Sequence, residues 1–136
     1  MLDLSHHHPR FHALIGYLAR IPSVETNETP SCGVGSGLFD DGTWWVKFTL
    51  DIAHPLAWCV VQECGYVLNY LSLNEKLPTV FKPVSPPPDL NGGPRDYLSW
   101  VIECSLERMA PDTVAEWLEG RLPRPVDDLT QWESTD

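Results

Sequence analysis

Apolar residues near the start of the chain recur with the period of an α-helix. The residues that stand at i, i+3, i+4 and i+7 are Phe11, Leu14, Ile15 and Leu18. Pro9 precedes this pattern and suits a first helical turn, whereas Pro22 follows it and cannot continue a helix. The pattern therefore predicts a helix over residues 9–20.

The next two segments follow the period of a β-strand. Residues 34–39 and 43–52 flank Asp40-Asp41-Gly42, a sequence typical of a tight turn. In the second segment one face is apolar and consists of Trp44, Val46, Phe48, Leu50 and Ile52. The other face consists of Trp45, Lys47, Thr49 and Asp51. This alternation predicts a hairpin in a half-covered antiparallel sheet.

Beyond the hairpin, the pattern predicts one more strand and three more helices. A helix begins near Pro55 and presents a wide apolar stripe, made of Leu56, Val60, Val61, Cys64, Val67, Leu68 and Leu71. Residues 79–84 form a third strand, and Pro83 places it at a sheet edge or a strand end because proline lacks a backbone donor. A third helix is predicted from Pro94 to about Glu107, burying Tyr97, Trp100, Val101 and Cys104.

A fourth helix is predicted from Pro111 to Glu119, with Gly120 at its end. The order of these elements predicts an α+β fold with a small antiparallel or mixed sheet, made of the hairpin and a third strand. About four helices cover mainly one face of that sheet. We expect one globular domain over residues 1–126 and a loose acidic tail over residues 127–136, from which Leu129 and Trp132 could pack back onto the domain.

The net charge of the chain indicates which classes of molecule it can bind. Nineteen acidic residues against nine basic ones give a net charge of -10, and nine of the acids follow residue 100, where the bases are only Arg108, Arg121 and Arg124. Such a field repels nucleic acid and anionic membranes and attracts cationic molecules. We therefore expect a basic partner and no contact with nucleic acid or membrane.

The compartment follows from what the sequence lacks. Residues 1–10 do not resemble a signal peptide, and no run approaches the roughly 18 to 20 apolar residues of a membrane span. Cys32, Cys59, Cys64 and Cys104 have no CxxC spacing, which favours buried reduced thiols over disulfides or a zinc site. A cytoplasmic location is expected.

The acidic residues near the C-terminus are the main candidates for a binding surface. On the predicted third helix Asp96, Glu103 and Glu107 fall within about 40 degrees of one another, and Ser99 completes the same face. The next helix repeats the stripe with Asp112, Glu116 and Glu119, opposite Val114, Trp117 and Leu118. Neither stripe contains a lysine, whereas an ordinary solvent-exposed face mixes both signs of charge. A basic partner explains this arrangement, and so does acidity retained for solubility.

The predicted partner-binding set adds residues of the tail, namely Asp127, Asp128 and Trp132. Aromatic side chains usually dominate the binding energy of an interface, while acidic residues steer the encounter. Trp132, Trp45 and Tyr97 are the candidate anchors. Each of them fits a place in the core equally well.

Two further motifs, one of glycines and one of histidines, give weaker evidence of a functional site. Gly33, Gly35 and Gly37 precede a hairpin and not a helix, so they indicate a bend or a close approach in a strand instead of a phosphate loop. The histidines near the N-terminus could attract a transition metal, but no Cys or carboxylate ligand stands at a suitable spacing; they are His6, His7, His8 and His12. No metal site and no cofactor are predicted.

An enzyme would need a nucleophile, a base and an orienting group together. His54 with Asp51, Cys59 and Glu63 is the densest such set. Asp51 stands at a strand end and His54 at a helix start, where capping is the simpler role. We expect no catalysis, and a small hydrolase or transferase that uses His54 remains the alternative.

The middle of the chain resembles a known family. The segments WVKFTLDIAHPLAW and LPTVFKPVSPPP, within residues 42–103, resemble bacterial immunity proteins of contact-dependent growth inhibition systems, called CdiI. The resemblance covers a little under half the chain. It implies a small cytoplasmic protein without catalysis that binds and blocks the C-terminal toxin domain of a matching CdiA effector. Many such toxins are basic nucleases, and no binding residue carries over because family members use different surfaces.

We therefore expect an immunity protein that neutralises a cognate basic toxin domain by stoichiometric occlusion. The enzyme described above is the second hypothesis, and a generic acidic adaptor is the third. An enzyme requires a cleft in which His54 and acidic groups converge, whereas an inhibitor requires a broad negative surface.

Overall fold

The computed structural model describes residues 7–25, 34–70, 79–84, 97–105 and 109–133. The strands are β1 (Val24–Glu25), β2 (Gly35–Leu38), β3 (Trp44–Asp51), β4 (Thr79–Pro83) and β5 (Tyr97–Cys104). The helices are α1 (His12–Leu18), α2 (Ala57–Gly65), α3 (Pro111–Arg121) and α4 (Leu129–Glu133). A 3-10 turn at Pro9–Phe11 precedes α1, and Tyr66–Tyr70 prolong α2 as a π-helix. The predicted α+β class is confirmed.

The strands form one antiparallel sheet in the order β1-β3-β5-β4. β3 pairs with β5 along its whole length, from Trp44 opposite Cys104 to Asp51 opposite Tyr97. Its other edge pairs with β2 at one end and with β1 at the other. The sheet therefore has five strands, two more than the sequence predicted.

The predicted hairpin of β2 and β3 is confirmed, and its turn is built from local hydrogen bonds. Gly42 has a φ of 88°, a left-handed conformation that glycine adopts at little cost. The Thr43 backbone N–H and hydroxyl both donate to Asp41 Oδ1, at 3.0 and 2.6 Å. These bonds favour the carboxylate and hold the pKa of Asp41 below its ordinary value.

The helix-covered face of the sheet contains the core. The alternate residues of β3 predicted to be apolar and buried, Trp44, Val46, Phe48 and Leu50, are fully buried. Phe81 on β4 lies between two other rings, at centroid distances of 5.9 Å to Phe48 and 5.0 Å to Trp100. On the opposite face, Trp45 and Lys47 are half-buried and Val80 and Lys82 are exposed. Thr49, Ser99 and Val101 on that opposite face are nevertheless buried. The apolar residues of the helices form one core with Trp44, Val46 and Phe48, so the helices cover mainly one face, as predicted.

The prediction of a helix over residues 94–107 is wrong, because residues 97–104 form the strand β5. Tyr97, Trp100, Val101 and Cys104 fit a helical stripe, but Trp100, Ile102 and Cys104 fit the two-residue period equally well and face the core. The segment is rich in aromatic and β-branched residues, which favour strands. The segment forms a strand because it pairs with β3 on one side and with β4 on the other.

β4 is an edge strand, as Pro83 predicted, and the side chain of Asn69 binds its outer edge. Asn69 Nδ2 donates to the Phe81 carbonyl at 2.9 Å, and the Phe81 N–H donates to Asn69 Oδ1 at 2.7 Å. The Thr79 hydroxyl also donates to the Leu68 carbonyl at 3.0 Å. The end of the α2 segment therefore replaces a neighbouring strand at this edge.

The C-terminal segment packs back onto the core through one of the two residues for which this was predicted. Trp132 is fully buried and its indole Nε1 donates to the Val126 carbonyl at 2.7 Å, whereas Leu129 is exposed. Trp44 makes a similar bond, from Nε1 to the Met109 carbonyl at 2.8 Å. Both rings thus bury their apolar surface and satisfy their only donor.

The cysteines of the described residues fit the prediction of core thiols. Cys64 and Cys104 are buried and Cys59 is half-buried, and Cys32 lies outside the described residues. Burial raises the pKa of the Cys64 thiol to about 12. Across the described ranges, no helix has the length and apolar character needed to cross a bilayer.

Candidate partner-binding surface

The acidic face predicted for α3 is confirmed in position. Asp112, Glu116 and Glu119 are exposed, and Val114, Trp117 and Leu118 on the opposite side are buried in the core. Pro111 begins the helix, where its missing N–H needs no partner. Among the described residues, none of the three carboxylates forms an ion pair. No direct ion pair in this part of the chain therefore reduces their mutual repulsion.

These carboxylates line a groove between α3 and α1, which we call the α1–α3 groove. Its volume is about 370 Å³, and both helices contribute residues at i, i+3, i+4 and i+7. The lining residues are Ala13, Gly16, Tyr17 and Arg20 from α1 and the turn after it, and Asp112, Ala115, Glu116 and Glu119 from α3. The groove is open because Ala13, Gly16 and Ala115 are small; a Cβ added to Gly16 would meet no atom within 4 Å.

A second cavity of about 300 Å³ adjoins the groove. Tyr17, Arg20 and Glu119 line both spaces, and the remaining wall is formed by Arg124, Pro125 and Val126. Arg20 Nη2 lies 3.4 Å from Asp127 Oδ1. Asp127, one of the predicted partner-binding residues, is therefore placed near the α3 carboxylates through this arginine.

Tyr17 occupies the place where the two cavities adjoin. Only 7% of its surface is exposed, and its hydroxyl has no hydrogen-bond partner among the described residues. Burial raises its pKa to about 12, with smaller contributions from Cys64 and Glu119. A buried hydroxyl without a partner is unfavourable, because it has lost its bonds to water.

Glu103 does not belong to this surface, and the predicted stripe of Asp96, Glu103 and Glu107 is wrong as a helical face. Glu103 lies on β5, opposite Trp45 in the register, and projects from the sheet face away from the core. Its carboxylate forms an ion pair of 2.5 Å with Lys82 on β4. Ser99 is buried and bonded to Thr49 at 3.1 Å, while Asp96 and Glu107 lie outside the described residues.

The proposed aromatic anchors are placed differently from one another. Trp132 is core, so it is not available as a surface anchor in this conformation. Trp45 is half-buried against β2, where a Cβ on Gly37 would lie only 2.5 Å from the Trp45 indole nitrogen. The interpretation as a close approach in a strand is thus confirmed for Gly37, whereas a Cβ on Gly35 would make an ordinary contact of 3.5 Å with Trp45. The side chain of Tyr97 lies outside the described residues, as does Gly33.

Asp128 has a local structural role. Its Oδ1 accepts hydrogen bonds from the Thr130 N–H at 3.0 Å and the Thr130 hydroxyl at 2.6 Å. These bonds lower the pKa of Asp128 and fix the turn that begins α4. Of the predicted partner-binding residues, the α1–α3 groove and its surroundings thus bring together Asp112, Glu116, Glu119 and Asp127.

The α2 segment also carries a pair of exposed aromatic residues that was not predicted from the sequence. Trp58 is 55% exposed and Tyr66 is 51% exposed. They stand eight residues apart, with exposed Gln62 midway, so all three lie on the outer side of the segment. Their position outside the predicted apolar stripe of this helix was a usable signal.

Two residues of the set considered for catalysis, Asp51 and His54, bind backbone N–H groups in the turn before α2. His54 Nδ1 accepts a hydrogen bond from the Leu56 N–H at 3.0 Å, and Asp51 Oδ1 accepts one from the Ala53 N–H at 3.0 Å. Both bonds join a side chain to the backbone two residues further on, in the turn before α2. Leu56 stands at the N-cap of α2 without a side-chain cap bond, so the helix capping suggested by the sequence is not observed.

The N-terminal histidines make separate contacts. His7 Nδ1 lies 2.6 Å from the Ser36 hydroxyl, His8 Nδ1 accepts from the Arg10 N–H, and His12 Nε2 lies 3.1 Å from the His7 carbonyl. His6 lies outside the described residues. Within the part of the chain that is described, no three His, Cys, Asp or Glu side chains are grouped as metal ligands would be.

Comparison with known proteins adds no relative. No protein-family model, curated protein or solved structure matches the chain.

Proposed function

We propose that this protein is an acidic immunity protein of the CdiI type, which binds a basic toxin domain inside the producing cell and blocks it stoichiometrically. The observation that carries the proposal is the exposed face of α3, where Asp112, Glu116 and Glu119 line a groove to which the described residues contribute one basic side chain, Arg20. The net charge of -10 supports it as well. A partner with the opposite charge would relieve the repulsion among these carboxylates.

The proposed mechanism is occlusion and not turnover. A negative field steers a basic domain toward the surface and raises the association rate. The carboxylates of the α3 face can then occupy positions that phosphate groups take on a basic nuclease. Burial of the contact surface, of roughly 1,600 Å² for a complex of standard size, would supply the specificity.

The first prediction tests protection in cells. Cells that produce this protein should survive expression of the toxin domain encoded immediately upstream of it and should die from an unrelated toxin domain. Glu116→Lys should reduce protection because it reverses a charge on the α3 face, whereas Asp40→Lys makes the same change on the exposed hairpin turn and should not. Equal protection by both variants would move the contact away from α3.

A second variant distinguishes the enzyme hypothesis from the inhibitor proposal. His54→Ala should keep protection, apart from the cost of the one hydrogen bond that His54 accepts from the Leu56 N–H, because occlusion requires no turnover. Loss of protection by a folded His54→Ala protein that still binds the toxin domain would refute the inhibitor proposal and favour catalysis.

A further inference from the structure

We propose that the α1–α3 groove is a receptor for one arginine side chain of the partner, with Asp112 and Glu116 binding the guanidinium group and Tyr17 closing the inner end. This inference rests on the proposed function, since it names the chemistry by which the acidic face would hold a basic protein. It assigns separate roles to the small, acidic and phenolic residues of the groove.

The small residues give the groove its shape. Ala13 and Gly16 on one side and Ala115 on the other leave space along the helices for an extended aliphatic chain. An arginine side chain has such a chain, which can lie along apolar surface while its charged head reaches polar groups. Nothing in the packing of α1 requires a glycine at position 16, because its neighbourhood is open and its backbone is helical.

The charges of the lining favour a cation. Three carboxylates face the groove, and Arg20, the single basic residue that lines it among those the structure describes, already contacts Asp127. Asp112 and Glu116 stand one helical turn apart, and neither makes an ion pair among the described residues. Guanidinium groups suit two adjacent carboxylates because their donors form a fixed planar fork.

Tyr17 is the independent observation that points to an occupant. Its side chain is 93% buried by surface and lines the groove, yet its hydroxyl lacks a partner among the described residues. Tyr17 lines the end of the groove that adjoins the second cavity, and a guanidinium group that reaches this end provides five donors, one of which bonds to the phenol oxygen. The unsatisfied hydroxyl is thus explained as a group whose partner arrives with the ligand.

The test closes the groove without changing its charge. Gly16→Leu places a side chain in the open space of the groove, whereas Gly120→Leu makes the same change on the outside of α3, where a Cβ also meets no atom within 4 Å. Both variants should fold, because leucine is a better helix former than glycine. The first probe is a short acetylated, amidated tetra-arginine peptide, with binding followed by amide chemical shifts of the α1 and α3 residues and by calorimetry.

We expect the peptide to shift the amides around Gly16 and Glu116, and Gly16→Leu to weaken its binding by about tenfold, which corresponds to 1.4 kcal/mol. Gly120→Leu should bind as the wild type does. Equal binding by the two variants, or shifts spread over all acidic surfaces, would overturn the inference.

Tyr17→Phe tests whether the phenol contributes to peptide affinity, because an acidic surface that acts by charge alone would bind the peptide equally well in this variant. The variant keeps every charge and removes only the unpartnered hydroxyl, so the folded protein should be at least as stable as the wild type. Peptide affinity should nevertheless fall several-fold. Unchanged affinity in a folded Tyr17→Phe protein would remove the phenol from the proposed site.

The same variants, tested against the upstream toxin domain, distinguish this inference from the proposed function. Binding of the toxin domain that is insensitive to Gly16→Leu would refute the groove and leave the immunity function standing. Peptide binding in the groove without any binding of the toxin domain would refute the immunity function and leave the receptor for arginine.

Discussion

At the scale of single residues, one amide side chain completes the edge of the sheet. Asn69 presents a donor and an acceptor in the arrangement of a peptide unit, and Phe81 uses both. A strand edge without such a partner exposes its backbone groups to water or to another chain. Neither the helical stripe nor the strand pattern of the sequence indicates this contact, because it depends on the packing of two segments.

Replacement of Asn69 by alanine should therefore destabilise the fold. The loss of two hydrogen bonds and the exposure of the Phe81 backbone groups should lower the free energy of unfolding by about 2 kcal/mol. Gln62→Ala is the matched control, since Gln62 is an exposed amide on the same helical segment. Urea denaturation measures both; equal stability of the two variants would contradict the role given to Asn69.

The buried thiol of Cys64 and the buried phenol of Tyr17 make stability depend on alkaline pH. Their ordinary pKa values of 9.0 and 10.0 rise to about 12 in the folded protein. Both groups are neutral when protonated, so the unfolded chain releases these protons first as the pH increases. Their contribution is complete below pH 9 and is lost as the pH approaches 12.

The free energy of unfolding should accordingly decrease between pH 9 and pH 12. Cys64→Ala and Tyr17→Phe should each make this decrease shallower, whereas Gln62→Ala, which removes no titrating group, should leave the slope unchanged. Urea titrations at a series of pH values provide the slope. The same slope in all four proteins would show that other groups control the alkaline range.

At the scale of elements, periodicity located α1, the β2–β3 hairpin, α2, β4 and α3 because each has one strongly apolar face. It failed at β5, because the apolar residues of 97–104 fit both the helical and the strand period. Pro94 also stands where a proline often begins a helix. Short apolar segments are ambiguous in this way when their neighbours are unknown. The same ambiguity affected the candidate site. The acidic stripe on α3 was predicted correctly, whereas the acidic stripe assigned to residues 96–107 was not.

The groove itself could not be predicted from the sequence. α1 and α3 are almost a hundred residues apart in the chain, and the small residues that face each other across the groove carry no signal of their contact. Gly16 and Ala13 in particular resemble ordinary positions on the polar side of α1. Only the packing of the two helices brings them opposite Asp112 and Glu116.

Helix α4 should stabilise the fold mainly through Trp132. Trp132→Ala should lower the free energy of unfolding by about 3 to 5 kcal/mol, because it leaves a large cavity and removes the partner of the Val126 carbonyl. Leu129→Ala, at an exposed position of the same helix, should cost less than about 0.5 kcal/mol. Thermal or urea denaturation compares the two, and similar stabilities would mean that α4 contributes little to the core.

At the scale of the whole molecule, the acidic charge is combined with a sheet that is covered on one face and a helix that displays carboxylates. A domain with a net charge of -10 experiences self-repulsion in its compact state, and salt or a basic partner reduces it. Association with a basic domain should therefore be fast at low ionic strength and slower as salt screens the field.

The most direct test of the proposed function is a calorimetric titration of this protein with the purified toxin domain encoded upstream, at low and at physiological salt. We predict a one-to-one complex whose affinity falls as salt rises, and a larger loss of affinity for Glu116→Lys than for the matched Asp40→Lys. The absence of binding at both salt concentrations would contradict the proposal that this protein is the domain's inhibitor.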